Sequence, residues 1–130
     1  MIEEWMIMPL AFVALVIWVV IFGKRLAPKT HDVECKFRTG TVYHGDLDQV
    51  RRADGSEEFE MSLYKLQDDY TGPVRMLKNG QHVADFEAES GEIDFEWEGE
   101  FDANTPLFEV GDEVVLELGP HRLAGVVEPD

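Results

Sequence analysis

Basic residues and cysteines are scarce in this chain. Its 130 residues include 11 Lys and Arg against 27 Asp and Glu, so the formal net charge is −16. A surface this acidic repels phosphate backbones, which argues against nucleic acid as a partner. Cys35 is the single cysteine, so the chain cannot form an internal disulfide. The missing disulfide favours a reducing compartment.

Signatures of catalysis and of structural metal sites are also missing. The serines lack the strand–turn–helix context of a hydrolase nucleophile, and no glycine-rich phosphate loop leads into a predicted helix. No two histidines share a close motif, whereas a structural zinc site normally shows paired Cys and His ligands. The sequence therefore predicts no enzyme, no cofactor and no small-molecule substrate.

A long apolar run opens the chain. From Trp5 to Phe22 there are 18 consecutive residues without a charge. As a helix this run would be roughly 27 Å long, close to the ~30 Å hydrocarbon core of a bilayer. Trp5 and Trp18 lie near its ends, and Pro9 falls in its first turns. Because a basic leader and a small-residue cleavage site are lacking, we expect residues 1–23 to form an uncleaved tail and membrane anchor.

The charges that flank this run predict an orientation. Acidic residues precede the span, whereas Lys24, Arg25 and Lys29 follow it. The positive-inside bias then places the C-terminal part in the cytoplasm. We expect a single-pass protein of a bacterial inner membrane, with residues 24–31 as a short basic tether.

Residues 32–130 read as an acidic β-domain. Apolar and polar residues alternate in 58–63 and again in 93–98, the period-two pattern of half-buried antiparallel strands. Asn79-Gly80 predicts a type I′ hairpin turn. Together with further short runs, this predicts about seven to eight strands in an antiparallel β-sandwich or small barrel. Polar loops are expected between Leu47 and Ser56 and from Glu98 to Pro106.

Acidic residues alternate along the strand predicted at 93–98. Asp94, Glu96 and Glu98 should point outward, where they could meet a basic partner surface. With one membrane helix, one compact domain and a short tether, the chain is interpreted as a non-enzymatic accessory subunit or adaptor. Its partners would be the lipid bilayer and a larger integral-membrane complex, for instance a respiratory or photosynthetic one.

A second hypothesis belongs to a different class of function. Many β-sandwiches bind ligands, so the domain could be a membrane-tethered sensory module for calcium or carbohydrate. Asp46, Asp48 and Asp54 are the calcium candidates, although they are loosely spaced for an ion that takes six to eight oxygens. Trp97 and Tyr64 could supply an aromatic platform for a sugar, while the alternation places Trp97 in the core.

Overall fold

The described part of the chain is residues 27–130, in a computed structural model. The predicted membrane anchor and most of its flanking basic residues lie outside this range: Trp5, Pro9, Trp18, Phe22, Lys24 and Arg25. Between residues 27 and 130, no helix has the length and apolar character needed to cross a bilayer. The fold can therefore be compared with the prediction for the β-domain alone.

Eight strands make up most of the described structure. They are β1 (Lys29–Thr39), β2 (Val42–Arg52), β3 (Ser56–Leu63), β4 (Gly72–Lys78), β5 (Gln81–Ala88), β6 (Ile93–Glu100), β7 (Glu113–Leu118) and β8 (His121–Pro129). A short 3-10 turn, Gln67–Asp69, lies between β3 and β4. The prediction of a mainly β domain with seven to eight strands is confirmed. β1 begins at Lys29, inside the stretch assigned above to the tether.

The strands form one nearly closed, barrel-like sheet. Their order is β5-β4-β7-β8-β1-β2-β3-β6, and every neighbouring pair is antiparallel. Of the two architectures expected, the barrel therefore describes the sheet better than the sandwich. β5 and β6 are the ends of this order, so they face each other across the place where a fully closed barrel would be paired.

The strand directions give the barrel two ends. One end, called the tether end, holds Ala27, the 53–55 turn, the Asn79-Gly80 turn and the 101–112 connection. Hydrogen bonds join these pieces: Ala53 N–H donates to the Pro28 carbonyl at 3.0 Å, and the backbone N–H of residue 101 donates to the carbonyl of residue 55 at 3.2 Å. The chain therefore reaches the barrel beside the connection from β6 to β7.

The core is built from the inward-facing residues of the alternating strands. In β3, Phe59, Met61 and Leu63 are buried, as the period-two pattern predicts. The other buried hydrophobic residues come from all remaining strands and two connections: Val33, Cys35, Phe37, Leu47, Leu66, Val74, Met76, Ala88, Ile93, Phe108, Val114, Leu116, Leu118, Leu123 and Val127. The hairpin turn is also confirmed, because Asn79 (φ 50°) and Gly80 (φ 86°) both have the positive φ that type I′ requires.

The polar loop predicted between Leu47 and Ser56 is wrong, because β2 continues to Arg52. The alternation persists there, but polar side chains fill the inward positions: Gln49 and Arg51 are buried along with Leu47. Both polar side chains satisfy backbone groups of the 101–112 connection, which makes their burial tolerable. Likewise β6 extends to Glu100, so the second predicted loop begins at residue 101.

Candidate functional site

The barrel is open along one line, between β5 and β6. The two strands are joined by a tight turn at the end of the barrel opposite the tether end, which we call the far end. In this turn Glu89 and Glu92 form a bridge with N···O distances of 2.9 and 3.0 Å. Between this bridge and the tether end, β5 and β6 are not paired with each other. Among the described strands, β5 pairs with β4 alone and β6 pairs with β3 alone. We call the gap between Gln81–Ala88 and Ile93–Glu100 the seam.

Aromatic side chains line the part of the seam nearer the far end. Phe86 of β5 and Phe95 of β6 meet edge to face across it, with ring centroids 5.1 Å apart and planes at 73°. Phe59 lies behind them, 6.4 Å from Phe86 and 6.0 Å from Phe95. Such ring pairs contribute about 0.5–1.5 kcal/mol beyond their buried area. Side-chain packing therefore holds the seam where backbone hydrogen bonds do not.

Towards the tether end the seam opens into a mainly apolar cavity of about 350 Å³. Its floor is made by core residues Phe59, Met76 and Phe108. Trp97, 36% exposed, and Phe95, 39% exposed, form part of its wall. The remaining lining residues come from β3, β5 and the connection after β6: Glu57, Ala84, Asp85, Phe86, Asp102, Asn104, Thr105 and Pro106. The volume falls within the ~300–1,000 Å³ range of ligand pockets.

Trp97 takes its position at the seam because a glycine follows it on the same face of β6. A Cβ atom on Gly99 would lie 2.8 Å from the indole of Trp97, so any larger residue would displace the ring. The alternation of β6 correctly predicts that Ile93, Phe95 and Trp97 share a face. Ile93 is buried, but the other two lie beside the opening and stay partly exposed, so the prediction that Trp97 lies in the core is wrong.

Buried polar side chains of β2 hold the 101–108 segment, which forms the wall of the cavity at the tether end. Gln49 Nε2 donates to the Pro106 carbonyl at 2.8 Å, and the Phe108 N–H donates to Gln49 Oε1 at 2.9 Å. Arg51 donates to Glu57 at 2.6 Å and to the Thr105 carbonyl at 3.2 Å. These bonds fix the 101–108 segment against the barrel, so the cavity has a defined shape.

Exposed carboxylates border the seam on both strands. We call this group, Asp85, Glu87, Asp94, Glu96 and Glu98, the acidic rim. Three of its members are the residues predicted to form an outward acidic face, and the structure does place Asp94, Glu96 and Glu98 at exposed, alternating positions of β6. Next to them, Glu60 of β3 lies opposite Glu96. A hydrogen bond shared with Glu96, then burial and the negative charge of Glu96, raise the pKa of Glu60.

The acidic rim continues as a carboxylate row across the outer face of the sheet. Cross-strand partners in direct register are Glu128 with Glu34, Glu34 with Asp48, Asp48 with Glu60, and Glu60 with Glu96. Like charges in such positions destabilise a sheet. Lys36 offsets part of this repulsion, since its Nζ lies 3.6 Å from both Glu34 and Glu128.

One part of this row has ligand atoms close enough for a cation. Oxygens of Glu34, Asp48 and Asp130 all lie within 4.8 Å of one another. Burial, followed by the charge of Asp46 and a hydrogen bond with it, raises the pKa of Asp48 to about 7. Three carboxylates are a partial set for calcium, which prefers six to eight oxygens.

The structure separates the three calcium candidates of the sequence. Asp46 and Asp48 are neighbours on one side of β2. Asp54 lies in the β2–β3 turn, where it accepts hydrogen bonds from the Ser56 N–H and hydroxyl at 3.0 and 2.6 Å. Those bonds lower the pKa of Asp54 and explain its place as a turn residue. The carboxyls that approach Asp48 from other strands were not visible as a pattern in the sequence.

The remaining reactive side chains serve the fold. Cys35 is fully buried, and burial raises the pKa of its thiol to about 12, which suppresses the thiolate. His44 is buried as well and lies 2.8 Å from Thr39 Oγ1 and 3.2 Å from the Tyr64 carbonyl. His31 lies 2.7 Å from the Phe108 carbonyl and so helps to hold the 101–112 connection.

No family model, no curated protein and no solved structure matches this chain. The fold and seam therefore define a class by structure alone: an acidic, eight-stranded, nearly closed barrel with an open aromatic seam.

Proposed function

We propose that this chain is a non-enzymatic, single-pass membrane accessory subunit or adaptor, which docks its acidic β-domain against a larger membrane protein complex. The seam carries this proposal. It combines two strand edges, an apolar cavity and half-exposed aromatic rings in one place. Exposed edges and clustered apolar surface are features that proteins use for docking and otherwise tend to cover.

The position of the seam supports the same proposal. Its open part lies towards the tether end, next to the 101–106 segment. The first described residues are bound there too, since the Ala27 carbonyl accepts a hydrogen bond from Arg52 at 3.1 Å. If residues 5–22 span the bilayer, the cavity faces the membrane side of the domain, where an integral-membrane partner would be met.

Cross-linking after mild-detergent extraction tests this function. The wild-type chain should migrate on native gels with a larger complex and cross-link to it reproducibly. Trp97→Glu places a charge at the cavity wall and should abolish that co-migration. Tyr64→Glu is the matched control, because Tyr64 is 38% exposed and lies at the far end of the barrel. A wild-type chain that migrates as a lone monomer would refute the proposal.

The second candidate is a membrane-tethered ligand-binding or sensory module. The approach of Glu34, Asp48 and Asp130 favours calcium as its ligand, whereas Trp97 beside an apolar cavity favours a carbohydrate. Titration calorimetry of the full chain with calcium distinguishes the candidates. Micromolar binding that Asp48→Asn abolishes would support the sensory module, and heats no larger than dilution would count against calcium.

A further inference from the structure

No strand between residues 27 and 130 pairs with the edges of β5 and β6 that face the seam, and strand edges are suited to main-chain pairing. We infer that the seam binds an extended peptide segment in which apolar and basic residues alternate, with the segment hydrogen-bonding to the edge of β6 that faces the seam. This inference rests on the proposed function and names the chemistry of the partner. In such strand addition, main-chain bonds supply affinity and pockets for alternate side chains supply specificity.

The cavity defines what the inward-facing side chains of the segment must be. Phe59, Met76 and Phe108 form its floor, and Trp97 stands at its edge. Because successive side chains of a strand point to opposite faces, every second residue of the segment would enter this apolar space. Near Phe86 and Phe95 the ring contact already closes the seam, so the segment would occupy the open part towards the tether end.

The acidic rim defines the outward-facing side chains. A segment lying along β6 would have an outward residue level with Glu96, and Asp85 faces this line from β5. Lysine or arginine at that position would be attracted. A second copy of the chain is disfavoured as the occupant, because two molecules with a formal net charge of −16 repel each other. Charge complementarity therefore selects a basic partner.

Location narrows the source of the segment. The open part of the seam lies at the tether end, which faces the membrane under the proposed function. Lys and Arg are enriched where membrane spans meet the cytoplasm, directly beside apolar residues. We therefore assign the seam to a basic juxtamembrane segment of an integral-membrane partner.

Peptide binding to the full chain, purified in non-ionic detergent, tests this inference. The probe is a fluorescently labelled peptide of about seven residues that alternates Lys with Val, long enough to cover the open part of β6 between Phe95 and Glu100 and to extend past its end. A second probe has the same sequence with N-methylated backbone on the residues that would pair. Fluorescence anisotropy in about 0.15 M salt limits non-specific charge effects.

Two pairs of variants isolate shape from charge. Ala84→Leu narrows the cavity from β5, and Ala124→Leu makes the same change at an exposed position of β8. The double variant Asp85→Asn with Glu96→Gln removes two rim charges. The double variant Glu109→Gln with Glu113→Gln removes two exposed charges away from the seam, so the net charge changes equally.

We expect Ala84→Leu to weaken binding about tenfold or more, equivalent to about 1.4 kcal/mol, and Ala124→Leu to leave it unchanged. The rim variant should weaken binding more than its charge-matched control, and the N-methylated probe should bind less than the parent. Equal weakening by both double variants would mean non-specific attraction and would overturn the inference. So would unchanged binding to Ala84→Leu or equal binding of the two probes.

Other occupants and the proposed function give distinguishable results. If sedimentation shows a wild-type dimer that Ala84→Leu converts to monomer, the occupant is a second copy and the inference fails. If the chain co-migrates with a membrane complex but the peptide does not bind, strand addition is refuted while the accessory function stands. If the peptide binds at the seam but no complex is found in membranes, strand addition is supported and the accessory function is refuted.

Discussion

Replacing Gln49 with leucine should destabilise the barrel although it removes no apolar contact. Gln49 is fully buried and its amide forms two hydrogen bonds with the 101–112 connection. Leucine would leave the Phe108 N–H without its acceptor, and a buried orphan of this kind costs about 1–3 kcal/mol. The Pro106 carbonyl keeps a bond from Arg51 at 3.3 Å, so it adds the loss of one net hydrogen bond, about 0.5–1.5 kcal/mol.

The free energy of unfolding should therefore fall by about 2–4 kcal/mol, a large part of the ~5–15 kcal/mol typical of a domain. Urea unfolding of the full chain in detergent, followed by tryptophan fluorescence, measures it. With a slope of about 1.5 kcal/mol per molar urea, the midpoint should drop by roughly 2 M. Gln67→Leu, at an exposed position between β3 and β4, is the control and should leave the midpoint within experimental scatter.

A second substitution at Gln49 distinguishes the loss of the acceptor for the Phe108 N–H from the loss of the donor to the Pro106 carbonyl. Gln49→Glu retains an acceptor for the Phe108 N–H but buries a carboxyl that is charged at neutral pH. We expect it to be strongly destabilising at pH 8 and less so at pH 5, where the carboxyl can be protonated. If Gln49→Leu unfolds at the wild-type urea concentration, the two amide bonds do not hold the connection and the account of the cavity wall is wrong.

Two further predictions concern β2. Gly45→Ala should lower the free energy of unfolding by about 3 kcal/mol or more, because Gly45 has φ +122° and its new Cβ would collide with the Ser62 carbonyl. Gly40→Ala, at a turn with open space, is the control and should lower it less. Thermal unfolding measures both variants, and similar losses of stability would contradict this prediction. Burial and Asp46 raise the pKa of Asp48 to about 7 in the folded state. Between about pH 4 and pH 7 the folded state therefore keeps a proton on Asp48 that the unfolded state has released. The contribution of Asp48 to the free energy of unfolding falls as the pH rises through this range. Asp48→Asn should therefore raise the urea midpoint at pH 8 and have little effect at pH 4; no gain at pH 8 would refute the assignment.

The strands with clean alternation could be predicted from the sequence. Residues 58–63 and 93–98 alternate apolar and polar side chains, and both lie in strands. The apolar face of 58–63 is buried as expected, whereas in 93–98 Ile93 is buried but Phe95 and Trp97 are exposed. The Asn79-Gly80 turn was equally readable, because few dipeptides tolerate positive φ at two successive positions. Local patterning was sufficient wherever apolar residues faced the core.

The end of β2 was missed because its inward residues are polar. Gln49 and Arg51 look like loop residues in a sequence, and their role depends on backbone groups more than 50 positions away. The seam was not predictable for a related reason. The turn 89–92 suggests an ordinary hairpin, and the separation of the two strands below it depends on how the whole sheet curves. Such long-range geometry leaves no local signal.

Two features of the barrel lower its stability, and a single kind of partner would relieve both. Among the described strands, β5 and β6 forgo the hydrogen bonds that full closure of the barrel would add between them. The carboxylate row from Glu128 to Glu96 places like charges in register, and within it the hydrogen bond and the charge of Glu96, together with burial, raise the pKa of Glu60. A basic strand added to the seam would pair with the edge of β6 and bring positive charge next to Glu96, the end of the row that borders the seam. Because binding that is specific to the folded state also stabilises it, the peptide that fits the seam should raise the urea midpoint of the chain.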